Sequence, residues 1–399
     1  MTNCATIMKG YQVVLKSTGP ASNWAERISW RKRVAVGVLK AVDLLMVPLR
    51  PEEFFLANCR ARILGQNHPL IFAIAHEFGF DQISAFGFIS GGGGVQSGNI
   101  PWFEAGRGKF LIKQIKSNHS LGEGDVLYCL EYMHYLMEKG IPIPAVARSG
   151  VAGDRARSFF VKVAGRFYSL DRWVEGLDIS TAQAPATVFE NVGEMLAHIH
   201  FLSLGFTSKY SRNPAHYSVA QALAAIKTIP TEKIGEKDRD CVLAIMKKVA
   251  GIDLTGLPRG HIPSDFNFAN IKFNSSGQPI TVFDWDNTRY AYRLEDVPAT
   301  VTQTGRRGEG YNLHPALVST AIAPLVRGYN RKAKELGYTP FLKEELEVLP
   351  FLYRVGWLYR LYFSLTKLKI DPSNDIQAMK LIEQIFNSSE WRDFLASQS

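Results

Sequence analysis

The sequence is poor in cysteine, with four residues among 399: Cys4, Cys59, Cys129 and Cys241. They lie far apart and show neither the paired spacing of a zinc site nor the density of a disulfide framework. The chain also lacks an apolar run long enough to span a bilayer, and its opening residues are too polar for a typical signal peptide. We therefore expect free thiols in a reducing compartment and a cytoplasmic protein.

Motifs for nucleic-acid binding are absent as well. The formal net charge is +9, but no zinc knuckle, helix-turn-helix signature or aromatic-basic RNA motif accompanies it. Basic residues are mostly dispersed, and anionic small molecules are an alternative use for positive charge. We expect no nucleic-acid partner. No nucleophile elbow is present, which argues against a hydrolase.

Residues 1–68 are predicted to form an N-terminal helical extension. Trp24–Val47 has apolar residues tending to one side of a helix after a basic start, a pattern that a membrane-surface helix shares. Lys40 and Asp43 interrupt the apolar part. We therefore favour a helix packed on the body of the protein, and contact with a membrane surface is the alternative.

From residue 69 the pattern changes to strands with one helix. Phe110–Lys113 is predicted to be a strand that ends in a lysine, and the glycines at 91–94 precede it. Glycines between strands let backbone amides approach phosphate groups, and a strand lysine reaches phosphates as a point charge. A surface lysine on an edge strand is the alternative for Lys113.

Helical spacing of apolar residues covers Gly124–Lys139. An acid near its start is a candidate to pair with Lys113 and hold it toward a phosphate, and for each candidate the alternative is a solvated or capping role. The candidates are Glu123, Asp125 and Glu131.

Residues 159–163 and 166–170 are predicted to form a hairpin, after which Trp173–Gly176 connects to a mainly helical remainder. His198 and His200 have the wrong spacing to share one helical face, so a metal-binding pair is not expected. Packing or capping roles are expected for both.

The most informative stretch runs from Leu257 to Asn270. It places Asp265 five residues before Asn270, which is the spacing of a kinase catalytic loop. A hairpin is predicted over residues 271–283, with Asp284 directly after it. Phosphoryl transfer needs one carboxylate that faces the acceptor hydroxyl, and an amide oxygen with a second carboxylate that hold magnesium. An ordinary hairpin whose Asp and Asn cap turns is the alternative.

These residues resemble the aminoglycoside phosphotransferase and choline kinase-like superfamily, with kinase-like bacterial homoserine kinase as the closest match. That group typically has Leu-Pro-Arg-Gly-x-Ile-His-Gly-Asp, four residues and then Asn. Leu257–Asp265 and Asn270 follow this pattern, except that Pro263 and Ser264 replace His-Gly. The resemblance covers about residues 70 to 370 and is specific only around 257 to 286.

The resemblance implies an α+β, bilobal protein-kinase-like fold. The N-lobe, over residues 69–172, would have a small mixed β-sheet and one helix, and the C-lobe, over 173–399, would be larger and mainly helical. It also implies ATP and Mg²⁺ as cofactors. The γ-phosphate would pass to a hydroxyl of a small-molecule acceptor, a metabolite or an antibiotic.

Site residues follow from the resemblance by position. Asp265 would be the catalytic aspartate, and Asn270 and Asp284 the metal ligands. The nucleotide side would comprise the loop residues Gly98 and Asn99, Lys113 with Asp125 as its acidic partner, and Trp173, Val174 and Glu175 near the adenine. The acceptor pocket is a further candidate region, with Arg306, Arg307, Tyr311 and Arg327. The arginines could suit an acidic acceptor, and the alternative is that they are surface residues.

The change to Pro263 and Ser264 is the main departure. The histidine of the family braces the catalytic loop, and proline removes a hydrogen-bonding group. His261 lies on the same side of a strand as position 263, but it cannot simply replace the missing ring. We expect activity because the three acid and amide groups are present. A pseudokinase, acting as a nucleotide-binding or scaffold protein, is the alternative.

Overall fold

The computed structural model describes residues 69–90, 99–106, 108–115, 122–146, 155–210, 218–302 and 316–398. Several predictions lie outside these residues: the helix at Trp24–Val47, the glycines at 91–94 and 98, and the candidates Arg306, Arg307 and Tyr311. One compact unit comprises residues 68–162 and 166–399. Among the described residues, every helix is too short or too polar to cross a membrane.

A five-stranded sheet forms the smaller part of the fold. Its strands are β1 (Ala85–Ser90), β2 (Asn99–Ala105), β3 (Gly108–Gln114), β4 (Val161–Val163) and β5 (Arg166–Arg172), in the spatial order β1-β2-β3-β5-β4. The pairs β1–β2, β2–β3 and β3–β5 are antiparallel. The predicted hairpin is confirmed from Val161 onward, whereas Arg155–Phe159 forms a 3₁₀ turn.

Strand β3 lies inside the sheet, so the edge-strand alternative for Lys113 is wrong. Burial alternates along it: Phe110 and Ile112 are buried, while Lys109, Leu111 and Lys113 are half-buried on the opposite face. The buried face packs against Phe80, whose ring lies 4.5 Å from that of Phe110. The other face therefore presents Lys113 to the rest of the protein.

The helices that accompany the sheet are α1 (Pro69–Glu77) and α2 (Glu123–Glu138). Helix α2 is the one that apolar spacing predicts over Gly124–Lys139, shifted by one residue. At its N-terminus the Asp125 carboxylate accepts from the Gly122 N–H and so satisfies one backbone donor. Its buried residues include Val126, Leu130 and Met133.

The larger part of the fold is mainly helical. Its helices are α3 (Ala186–Ser203), α4 (Val219–Ile226), α5 (Glu236–Val249), α6 (Asp296–Val301), α7 (Ala323–Glu335), α8 (Lys343–Leu346), α9 (Leu349–Phe363), α10 (Ser373–Phe386) and α11 (Ser389–Ala396). The backbones of α3 and α7 touch through glycines. A Cβ on Gly193 would lie 2.1 Å from the Leu325 carbonyl oxygen, and one on Gly328 would lie 2.0 Å from that of Glu190.

The long apolar pattern near residues 343–365 suggests a single helix, but the structure divides it into α8 and α9. Pro350 stands at the start of α9. Proline has no N–H to continue the preceding helix, and its ring clashes with the carbonyl four residues earlier. The break therefore follows from one residue that the apolar spacing conceals.

Two short antiparallel ladders complete the fold. Strands β6 (Arg259–Ile262) and β9 (Arg289–Tyr292) form one, and β7 (Ile271–Phe273) and β8 (Pro279–Val282) form the other. The second is the predicted hairpin. A sheet with one long helix, followed by helices and short ladders, is the α+β, kinase-like architecture that the resemblance implies.

Candidate active site

The β7–β8 ribbon brings two of the candidate groups together. Asn270 directly precedes β7, and Asp284 follows β8. Ile271 pairs with Val282 across the ribbon, and the Phe283 N–H donates to the Asn270 carbonyl oxygen at 2.8 Å. The backbone positions of Asn270 and Asp284 are therefore neighbours, although they are distant in the sequence.

Two asparagines orient the Asp265 carboxylate. Asn267 Nδ2 donates to Oδ1 at 2.6 Å, and Asn287 Nδ2 donates to Oδ2 at 3.1 Å. Asn270 Nδ2 donates to the Asp265 carbonyl oxygen at 2.9 Å. The loop that carries Asp265 is thus closed on itself and tied to the segment after Asp284.

Both Ser264 and Asp284 adopt left-handed backbone conformations, with φ of 65° and 59°. Residues with a Cβ rarely adopt this region, and such strain gathers at functional sites. Ser264 stands where the resembling group has glycine, which adopts the region at little cost. Its Oγ is buried, with no hydrogen-bond partner among the described residues.

A buried polar chain braces the backbone at Ser264. The Ser264 N–H donates to Asp296 Oδ1 at 2.8 Å, and Asp296 Oδ2 lies 2.9 Å from His200 Nε2. The other ring nitrogen of His200 lies 3.0 Å from the Tyr329 hydroxyl. His200 is buried, as the packing role expected for it requires, and it also ties the loop to α3 and α7. The change at Pro263 therefore leaves the loop supported.

His261 does not take the place of the missing ring, in line with its expected role. Its Nδ1 lies 2.5 Å from the Tyr128 hydroxyl of α2, and its ring makes an edge contact with Phe206, 4.8 Å between centroids. Burial lowers the pKa of His261. It connects α2 with β6 through Tyr128.

Lys113 forms the electrostatic centre of the site. Its Nζ donates to Asp284 Oδ1 at 2.8 Å and to Asp286 Oδ1 at 2.9 Å. Burial alone would lower the pKa of Lys113, but the carboxylates of Asp284, Asp286 and Asp171 outweigh it and hold this pKa above its ordinary value. Burial raises the pKa of Asp171 to about 6. Lys113 opposes that shift, and Asp286 and Asp284 add to it.

The acids of α2 have other partners. Asp125 accepts from the Gly122 N–H at 3.0 Å, Glu123 pairs with Arg157, and Glu131 accepts from Ser208. The predicted pairing of Asp125 with Lys113 is thus replaced by pairing with Asp284 and Asp286. Capping, the alternative for Asp125, matches its observed contact.

The connector contains three more predicted residues, and Trp173 lies beside Lys109 of β3. The Trp173 N–H donates to the Lys109 carbonyl oxygen at 2.8 Å, and Lys109 Nζ lies 4.0 Å from the Trp173 ring and 4.2 Å from the Trp102 ring. Trp173 Nε1 donates to Glu175 Oε1 at 2.7 Å, and Val174 between them is half-buried.

Three further predicted residues are Gly98, Asn99 and Arg327. Asn99 is the first residue of β2, and Gly98 lies outside the described residues. Arg327 is 54% exposed and pairs with Glu190, as a surface arginine does.

The donor atoms at the ribbon fit magnesium. Among the described residues, no group of three or more His, Cys, Asp or Glu side chains is suited to a metal. Magnesium needs less, because it commonly uses one or two carboxylates and takes its other oxygens from water and phosphate. Asp284 supplies a carboxylate. The amide nitrogen of Asn270 is occupied by Asp265, which leaves its oxygen as the ligand atom.

Sequence reasoning missed several residues of this site. Asn267 and Asn287 stand close to Asp265 and Asp286 in the sequence, so a search for side chains near the predicted loop would have found them. Asp171 and Asp296 carry no such signal. They reach the site through strand order and helix packing.

Comparison with known proteins places this geometry in context. Residues 99–331, more than half of the chain, match the family described as "Phosphotransferase enzyme family". An uncharacterised protein of Synechocystis sp., sll1119, is 24% identical over 241 residues, which is 58% of this chain. The match spans 65% of the length of that protein.

Solved structures show the same fold. A microcompartment-associated aminopropanol kinase has a TM-score of 0.55 at 15% identity, covering 79% of this chain and 96% of that one. Amicoumacin kinase hAmiN, in complex with AMP-PNP, Ca²⁺ and Ami, has a TM-score of 0.52 at 13% identity, covering 76% and 88%. An aminoglycoside phosphotransferase from Alicyclobacillus acidocaldarius has 0.51 at 14% identity, covering 84% and 96%.

Proposed function

The chain belongs to the phosphotransferase enzyme family, and from that premise we propose that it transfers the γ-phosphate of ATP to a hydroxyl group of a small-molecule acceptor. One observation carries the proposal. The ribbon and its hydrogen bonds link the backbones of Asp265, Asn270 and Asp284, and Asp284 pairs with the Lys113 ammonium. Two structural neighbours are kinases of small molecules by name, and one was solved with the ATP analogue AMP-PNP. The predicted closeness to homoserine kinase and the cytoplasmic location stay predictions.

The residues divide the work by charge. Lys113 binds phosphate oxygens, since a lysine held by carboxylates stays protonated. Asn270 and Asp284 would hold Mg²⁺, which supplies neutralisation of the phosphate charge that develops during transfer. Most of the rate enhancement in such reactions comes from position and electrostatics, so the strained but fixed backbone at Asp284 is well suited to the task.

Asp265 is the group that faces the acceptor hydroxyl. Each of its carboxylate oxygens accepts a hydrogen bond from an asparagine, Asn267 or Asn287. Hydrogen bonds to the ionised form favour that form. The carboxylate is therefore held in a fixed orientation, from which it would accept the hydroxyl hydrogen as the phosphoryl group is transferred.

A nucleotide-binding scaffold without activity has less support. The scaffold alternative depends on the loss of the family's bracing histidine, which Pro263 replaces. In this structure the Asp296–His200 pair holds the neighbouring backbone at Ser264 instead. Phosphate transfer separates the enzyme from the scaffold.

The test is phosphate transfer from radiolabelled ATP with magnesium, over a panel of amino alcohols, sugars, amino acids and aminoglycosides. We expect one acceptor class to be labelled. Asp265→Ala and Asp284→Ala should lower the rate by at least about a thousandfold, because the first removes the group that faces the acceptor hydroxyl and the second removes a carboxylate that holds the metal and Lys113. Asp253→Asn is the control, since this exposed acid caps a local turn.

The outcomes are distinct. Full activity in Asp284→Ala would refute the assignment of that residue. Stabilisation by ATP and magnesium in a thermal unfolding assay, without transfer to any of the compounds and without slow ATP hydrolysis, would favour the scaffold.

A further inference from the structure

We propose that Asp171 is a positioning residue for Lys113, and that it performs from strand β5 the role that the resemblance assigns to an acid on helix α2. The inference rests on the proposed function, because the purpose of holding Lys113 is to present its ammonium to a phosphate. It concerns a residue that no sequence pattern singles out.

The strand register places the two side chains on one face. Lys113 lies opposite Ser169 and Leu111 opposite Asp171 in the antiparallel β3–β5 pair. Side chains two residues apart on a strand share a face, so Lys113 and Asp171 are diagonal neighbours on the half-buried side. Diagonal positions lie within reach of a long side chain. Lysine has the reach that this geometry requires.

A small cavity of about 20 Å³ has both residues in its wall, together with Asp284 and Asp286. The wall that α2 contributes is apolar except for one thiol: Val126, Cys129, Leu130 and Met133. Among the described residues that line this cavity, the helix supplies no carboxylate to Lys113. Strand β5 supplies one.

The charges explain why a further acid is needed. Asp284 holds Lys113 and is also the proposed metal ligand, so its negative charge cannot serve both cations fully. Asp286 accepts from Lys113 two residues away along the same short segment. A carboxylate on a different element stays with the lysine whatever Asp284 binds. Asp171 also attracts Lys113 electrostatically, which agrees with this arrangement.

The first test uses the protein without nucleotide. Unfolding by denaturant is measured for wild type, Lys113→Met, Asp171→Asn and the double variant, which together form a double-mutant cycle. We expect the unfolding constant of the double variant to differ about fivefold or more from the product of the two single effects. Additive effects would overturn the proposal. Asp171→Ser is a second charge-removing variant, and it should give the same coupling.

A matched control lies on the same face of the sheet. Glu104 on β2 lies opposite Lys109, so Glu104→Gln removes a carboxylate at a distance from Lys113. Its effect should be additive with that of Lys113→Met. If Glu104 couples to Lys113 as strongly as Asp171 does, the cycle measures only the effect of removing any nearby negative charge. A specific role for Asp171 would then be rejected.

The second test measures binding of AMP-PNP with magnesium by calorimetry, with no acceptor present. We expect Asp171→Asn to weaken binding about tenfold in the wild-type background and to change it little in Lys113→Met. Equal weakening in both backgrounds would reject positioning through Lys113. A wild-type protein that binds no nucleotide would reject the proposed function instead, and the nucleotide-free cycle would still decide whether Asp171 holds Lys113.

Discussion

Replacing Ser264 by glycine should stabilise the protein, and the magnitude follows from its backbone and its buried hydroxyl. A Cβ in the left-handed region costs about 1.5 kcal/mol, and a buried hydroxyl without a partner costs about 1 kcal/mol. Glycine returns roughly 0.7 kcal/mol through its greater freedom in the unfolded chain. The free energy of unfolding should therefore rise by about 2 kcal/mol in Ser264→Gly. In Ser264→Ala, which keeps the strained φ, it should rise by about 1 kcal/mol.

Denaturant unfolding is the assay, with a shift of the midpoint to higher denaturant at unchanged slope. The hydrogen bond from residue 264 to Asp296 uses the backbone N–H, so both variants keep the brace and should keep phosphate transfer. If Ser264→Gly is no more stable than Ser264→Ala, the argument from backbone strain is refuted. If Ser264→Ala is less stable than wild type, the hydroxyl contributes a favourable interaction and the second part fails.

Three further predictions follow from described contacts. His200→Ala should cost about 3 kcal/mol of unfolding free energy, since it leaves a buried carboxylate with one partner fewer, and denaturant unfolding with a transfer assay checks this. Burial raises the pKa of Asp171 from 3.8 to about 6, so the folded state favours the protonated carboxyl. The contribution of Asp171 to the free energy of unfolding is therefore fully present below about pH 4 and is lost as the pH rises through 6. The stability of Asp171→Asn should therefore gain on wild type by on the order of 2 kcal/mol between these pH values. If the difference in unfolding free energy between Asp171→Asn and wild type does not change with pH, the raised pKa of Asp171 is contradicted. Gly328→Ala should cost more than about 3 kcal/mol because its Cβ would meet the Glu190 carbonyl, whereas the control Gly356→Ala, in open space in a helix, should gain about 1 kcal/mol.

Part of this site could be predicted from the sequence because it depends on local sequence patterns. Asp265, Asn270 and Asp284 are joined by a tight hairpin, and strand patterns with a turn between them predict such a hairpin without any knowledge of the whole fold. Lys113 ends an apolar strand and follows glycines, which is again a local pattern. The α+β class follows from the order of strand-like and helix-like segments.

The partners of these residues needed the tertiary structure. Asp171 lies on the same sheet face as Lys113 only because β5 lies beside β3, and strand order cannot be predicted from the sequence of the individual strands. Asp296 reaches Ser264 from the start of α6, while His200 comes from α3. The acid that the sequence favoured, Asp125, lies in the first turn of its helix, where capping the free backbone amides competes with pairing at a distance.

The ammonium of Lys113 between Asp284 and Asp286 has a consequence for how the chain reaches its native state. Clustered acids repel one another, and where a bound metal ion offsets that repulsion, folding of the site is coupled to metal binding. Here the ammonium group of Lys113, which is part of the chain, offsets that repulsion without a bound ion. Assembly of the ribbon is thereby uncoupled from the supply of divalent metal, and chelators should leave the melting temperature of the nucleotide-free protein unchanged.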